Sequence, residues 1–152
     1  MPMTLEQLRN QLSDIEPDER TYQGIGPAEI PLLEQLLQDE EAWMASRAVF
    51  ALSRLPDRQV VNILSRLVAD PRPEVRVSLA ASTSNLRPRA ANDILLNLLE
   101  DTDVGVRKFS VQAVSEAHSA AVRDKLRHME GQDPSPAIRE VVKTRIQELE
   151  DR

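Results

Sequence analysis

The side chains with the most chemical potential in this chain are acids and arginines, and they recur in short blocks. The stretch DPRPEVR (70–76) sets acids, arginines and prolines within seven residues, and DTDVGVR (101–107) and DPSPAIR (133–139) repeat it in weaker form. Two chemistries fit. Arg76, Arg107 and Arg139 could stack into a basic ladder for an anionic ligand. Alternatively each block is a joint, in which Asp70, Asp101 or Asp133 accepts from backbone N–H groups that open a helix, or pairs with an arginine of its own or the next block. The six-residue offset between acid and arginine is the same in all three, which is what a repeated scaffold requires. The joint is the expected reading.

The other candidates carry less. His118 and His128 stand ten residues apart with no partner at metal-ligand spacing, whereas a zinc site wants four ligands. Both read as solvated surface histidines. The carboxylates Asp39, Glu40 and Glu41, and the pair Asp101/Asp103, fall in turns without the burial or like-charge partner that tunes a catalytic acid. No G-x-S-x-G or P-loop occurs, and GIGPAE (24–29) is too poor in glycine for a phosphate cradle. No catalytic, cofactor or metal residue is expected, and the chain is not read as an enzyme.

Bulk composition narrows the class. The chain has 152 residues, 41% of them hydrophobic but only 3% aromatic, so Leu, Val, Ile and Ala must pack the core. The formal charge of −6 repels phosphate backbones at long range and argues against nucleic acid. There is no cysteine, which excludes disulfides and thiolate chemistry. The opening MPMTLEQLRNQLSD lacks the apolar core of a signal peptide, and no apolar run approaches the roughly 20 residues of a membrane span. The expectation is a cytoplasmic protein that does not engage membranes.

The elements that must position these blocks follow from a period of 31. Leu33, Leu64, Leu95 and Leu126 are each 31 apart, as are Leu36, Leu67, Leu98 and Met129; Asp39 lies 31 before Asp70 and heads a fourth block. Each copy holds two helical patterns. The first carries stripes such as Val60, Ile63, Leu64, Leu67 and Val68. The second opens after the acid, with Pro73 and Pro136 at first helical positions and Asp103 and Ser135 as N-caps. Its stripes read Val75, Leu79 and Leu86; Val106, Phe109, Ala113 and Val114; and Ile138, Val141, Val142, Ile146 and Leu149. In the first copy Ala45 stands in the arginine column, and Arg47 falls two places later. Ser78, Ser82, Thr83 and Arg145 interrupt the apolar columns and predict local looseness, with the Arg145 head extending outward past its stem.

Two segments are expected. Residues 1–26 form a capping helix with Leu5, Leu8, Leu12 and Ile15 on one face and a Thr4/Gln7 capping box, then a loop over EPDERTYQGIGPAEIP. Residues 27–152 form the array. Neither helix of a pair buries its stripe alone, so neighbours must bury it.

The stretches LSRLVADPRPEVRVSLAAS (64–82), LLNLLEDTDVGVRKFSVQAV (95–114) and, more weakly, DPSPAIREVVKTRIQEL (133–149) resemble the HEAT repeat family, nearest the short bacterial kind also found in phycobilisome chromophore lyases. The resemblance implies an all-α, right-handed α-solenoid of about four helix pairs, whose second helices line a concave surface and which binds other proteins. At 100° per residue that face holds Trp43, Ser46, Phe50 and Ser53, then Val77, Ala81 and Ser84, then Lys108, Gln112 and Ser115, then Glu140, Thr144 and Gln147. A partner helix or peptide is expected there, anchored at Trp43, Phe50, Val77 and Ala81 and tuned by Lys108, Gln112 and Thr144. Tyr22 and the N-terminal segment could instead cover Trp43 and Phe50. Asp39, Asp70, Arg76, Asp101, Arg107, Asp133 and Arg139 form the structural ladder. The protein is expected to be a monomer or weak homodimer. A lyase-like accessory enzyme and, less favoured, a nucleic-acid binder are the alternatives.

Overall fold

The computed structural model describes residues 3–151; the outermost residues of the two expected segments, 1–2 and 152, lie outside the described residues. Among the described residues the secondary structure is helical throughout. Helix α1 (Leu5–Gln11) is opened by a capping box between Thr4 and Gln7, and α2 (Glu19–Tyr22) follows. Then come α3 (Ile30–Leu36) and α4 (Ala42–Ser53), α5 (Arg58–Ser65) and α6 (Pro73–Ser82), α7 (Pro88–Leu98) and α8 (Val104–Ala113), and α9 (Ala120–Gln132) and α10 (Pro136–Glu150).

Local chemistry places the ends. Pro73, Pro88 and Pro136 sit in the first turns of α6, α7 and α10, where their missing N–H costs nothing. Asp103 accepts from Val106 N–H at 3.0 Å and Ser135 from Ile138 N–H at 3.3 Å. Asp57 and Ser119 cap α5 and α9 in the same way.

Two layers result. The second helices α4, α6, α8 and α10 pack in succession, and α5, α7 and α9 run beside them as the other layer. Leu33, Leu64 and Leu95 are fully buried between the layers, each contributing about 1.5–3 kcal/mol of burial. The core falls into two blocks. The larger runs from Leu8 through Leu64 and Leu79 to Val106, and the smaller gathers Leu99, Val111, Val114, Val122, Leu126, Met129, Ile138 and Val142.

Several expectations change. Leu8 and Leu12 are buried, but Ile15 is 95% exposed, because α1 stops at Gln11 and the face ends with it. The expected loop after it contains α2, a single turn capped by Asp18 and Thr21, and a 3₁₀ turn at Pro27–Glu29. Gly24 takes φ +80°, which only glycine adopts without strain; Gly26 is ordinary extended backbone. Phe109, placed in the core stripe by its spacing, is exposed, and Ser110 is buried in its stead with its hydroxyl on the Val106 carbonyl at 2.7 Å. Arg145 does not extend outward. Its guanidinium donates to the Val114 carbonyl at 3.0 and 2.8 Å and so closes the end of α8. Ser78 likewise links helices, donating to the Ser46 carbonyl at 3.0 Å.

Candidate interaction face

The joints hold the second helices in register, so they come first. In every block the acid's carboxylate accepts the N–H two residues on: Asp39 from Glu41, Asp70 from Arg72, Asp101 from Asp103 and Asp133 from Ser135, all at 2.9 Å. Two of the arginines then span two copies, and the third stays within its own. Arg76 grips Asp101 with Nε and Nη2 at 2.8 and 3.1 Å, while its Nη1 donates to the Asp70 carbonyl at 2.7 Å. Arg107 repeats this on Asp133 at 3.0 and 3.1 Å and on the Asp101 carbonyl at 2.9 Å. Arg139 donates to the Asp133 carbonyl at 2.6 Å. Fork-to-carboxylate pairing of this kind fixes distance and angle together. Arg76 and Arg107 are neutralised inside the joints by Asp101 and Asp133 and so are not presented as a basic ladder, while Arg139 is held by a carbonyl alone.

The first copy solves its missing arginine from another position. Arg72 donates through Nε and Nη2 to Asp70 at 3.1 and 3.2 Å and through Nη1 to the Asp39 carbonyl at 2.8 Å, with a further bond to the Leu37 carbonyl at 2.7 Å. The fork on the next copy's acid and the bond to the preceding acid's carbonyl match those of Arg76 and Arg107; the Leu37 bond is additional. Burial works against the Asp70 charge, but bonds from the Arg72 side chain and N–H, with the charges of Arg72 and Arg76, hold its carboxyl below the usual carboxylate range. Asp39 pairs with Arg9 of α1, which ties the N-terminal segment to the array. Arg47 donates to the carbonyls of Leu12 and Asp14 at 2.8 and 2.6 Å and closes the end of α1.

So braced, the outer sides of α4, α6, α8 and α10 present the predicted face. Trp43 is 45% exposed, and Ala81, Lys108, Gln112, Glu140, Thr144 and Gln147 are exposed; Phe50 and Val77 are half-buried. Ser53 is buried instead, bonded to the Phe50 carbonyl at 2.7 Å and accepting from Asn85 at 3.1 Å. At Gly105 of α8 a Cβ would crowd the Asp103 carboxylate that caps the helix, at 3.0 Å, while standing at an ordinary contact distance of 3.8 Å from Val77 of α6.

The two aromatic residues of α4, Trp43 and Phe50, have different surroundings. The Phe50 ring lies 4.8 Å from the Tyr22 ring, and the Arg54 guanidinium sits 5.1 Å over Tyr22 and 5.9 Å over Phe50. The N-terminal segment therefore covers Phe50 in part. Burial raises the Tyr22 pKa against the opposing charges of Arg47 and Arg54, so this phenol stays neutral. Trp43 is left open, with Arg47 at 5.7 Å over its ring. A shallow cavity of about 430 Å³ joins Tyr22, Ser46, Arg47, Phe50 and Arg54, and another of about 400 Å³ lies beside Gln112, Val141 and Thr144.

His118 departs from its expected place. It is 6% exposed, and its Nδ1 accepts the Ser115 N–H at 2.8 Å. Burial lowers its pKa. His128 is exposed. Among the described residues no group of acids and histidines is placed to hold a metal ion, and no helix is long and apolar enough to cross a membrane.

No curated protein matches the chain. A family profile described as HEAT repeats matches residues 63–144, more than half the sequence. That span runs from α5 into α10 and contains the joints of Arg76 and Arg107, and helix pairs held in this way form an all-α fold that fits an α-solenoid. HEAT repeats commonly act as protein-interaction scaffolds and are typically non-enzymatic. The chain belongs to the HEAT repeat family.

Proposed function

We propose that this protein is a non-enzymatic adaptor that docks a helix or extended peptide of a partner protein along the concave side of its second-helix layer. The array is read as a right-handed solenoid of about four repeats of the short, bacterial, phycobilisome-lyase type, capped by residues 1–26 and working in the cytoplasm as a monomer or weak homodimer. The observation that carries the docking face is Trp43, the only tryptophan, 45% exposed on α4. Large aromatics with one face open are the usual anchors of protein interfaces. Val77 and Ala81 extend the apolar footprint onto α6, while Lys108, Gln112, Glu140 and Thr144 supply the polar side that sets register. Phe50, about two turns further along α4, is the lesser anchor, since Tyr22 and Arg54 already occupy part of it. The mixed charge of the face and the net charge of −6 disfavour a nucleic-acid ligand.

The test is capture of partners on immobilised full-length chain, comparing wild type with the double variant W43A/A81E. Both positions are exposed, so the variant keeps the melting temperature of wild type. A partner retained by wild type and lost from the variant supports the face. Equal retention by both refutes it.

A further inference from the structure

A further cavity lies at the linking turns, bordering that face through Ser53 and Arg54. It is an open groove of about 570 Å³ between two successive linking turns, the one from α4 to α5 and the one from α6 to α7. Its floor is apolar, including Leu55, Val61 and Leu86, and its rim carries Arg54, Arg58 and Arg87. The one acid among its lining residues, Asp57, is already engaged as the cap of α5, accepting Gln59 N–H at 2.8 Å.

These arginines differ from those of the joints. Arg76 and Arg107 are consumed by carboxylates and carbonyls, whereas Arg58 and Arg87 are exposed and, among the described residues, make no ion pair. Arg89, 31 residues after Arg58 and two after Arg87, adds another exposed cation at the same edge. A concentration of cationic side chains on one edge of a chain with net charge −6 is a local field opposed to the global one.

Arg54 already holds a carboxylate. Glu19 reaches it at 2.6 Å although its side chain is 86% exposed, and the Arg54 head is seated over Tyr22 and Phe50. One rim position is thus occupied by an acidic side chain of a peptide segment, while the other two are open.

We propose that this groove docks an acidic segment of a partner protein, with carboxylates on Arg58 and Arg87 and an intervening apolar side chain on the floor of Leu55, Val61 and Leu86. Charge complementarity selects the acid, and the apolar floor selects a peptide over a bare hydrated anion. The groove borders the proposed docking face through Ser53 and Arg54, but Arg58 and Arg87 lie outside that face and are tested without it.

The experiment is fluorescence anisotropy on the full chain with a fluorescein-labelled acidic peptide, EELDELEE, and its neutral counterpart, QQLNQLQQ. The acidic peptide is expected to bind with an affinity that falls as salt rises, and the neutral one not to bind. R58S/R87S is expected to weaken binding roughly ten-fold while R123S and W43A leave it unchanged. Neither Arg58 nor Arg87 is buried, and an unchanged melting temperature checks that the variant is folded. Three results each overturn the proposal: absence of binding, equal binding by R58S/R87S, or loss of binding in W43A. Inorganic tripolyphosphate binding as tightly as the peptide also overturns it, because the groove is then a simple anion site.

Discussion

Arg72 does the work of an arginine that the first copy does not have. An arginine at the Ala45 column would reach Asp70 and the Asp39 carbonyl, and Arg72 makes those bonds from the turn instead. Replacing Arg72 with Ala leaves the partly buried Asp70 carboxylate without its fork, at a cost of about 1.5–3 kcal/mol. Ala45 is fully buried, so A45R alone is expected to destabilise by overpacking. In the R72A background the same substitution is expected to restore stability, because the guanidinium then fills the vacated place. A denaturant-melting cycle over the two positions checks this. Additive losses would show that the two sites are not interchangeable. His118 gives a prediction of its own. The imidazole is buried and its Nδ1 is committed to the Ser115 N–H, so protonation in the fold would break that bond. With the folded pKa below the ordinary value of 6.5, the unfolded chain binds the proton first. The stability this group contributes is present above pH 6.5 and is lost as pH falls from there through the folded value. Urea unfolding from pH 7.5 downward is expected to show this loss in wild type and not in H118Q.

At the scale of elements, the 31-residue columns made the helix pairs legible. They placed the acid in the joint, the proline in the first turn and Asp103 and Ser135 as caps. What could not be read was chemistry that depends on a neighbour in space. Phe109 and Ser110 are adjacent, and spacing favours the aromatic for the core; only the Ser110 bond to the Val106 carbonyl makes the serine burial cheap. The turn of α2 is too short to carry a periodic stripe, and its signal lay in Asp18 and Thr21. His118 sits in a turn that reads as exposed until Ser115 folds back on it. The candidate face was legible as a set of positions, and so was Tyr22 as a cover, but not that it reaches Phe50 while leaving Trp43 open. Packing also divides the array. The C-terminal core block, in which α10 packs on α8 and α9, is the smaller. Hydrogen exchange is therefore expected to open α9 and α10 at lower free energy than α4 and α6. Uniform protection across α4 to α10 would mean that the two blocks unfold as one.

For the whole molecule, the joints and the faces divide the labour. Most of the periodic acids and arginines are spent internally, and the proposed functions fall on Trp43, exposed on α4, and on Arg58 and Arg87, which among the described residues make no ion pair. A solenoid presents such surfaces without moving, so partner binding is expected to protect a fixed strip rather than remodel the fold. Hydrogen exchange of the full chain, alone and saturated with a captured partner, measures this directly. Slowed exchange along the outer sides of α4, α6 and α8, around Trp43, Val77 and Gln112, is the predicted result. Protection confined to α5, α7 and α9, or none along the second helices, would contradict the account.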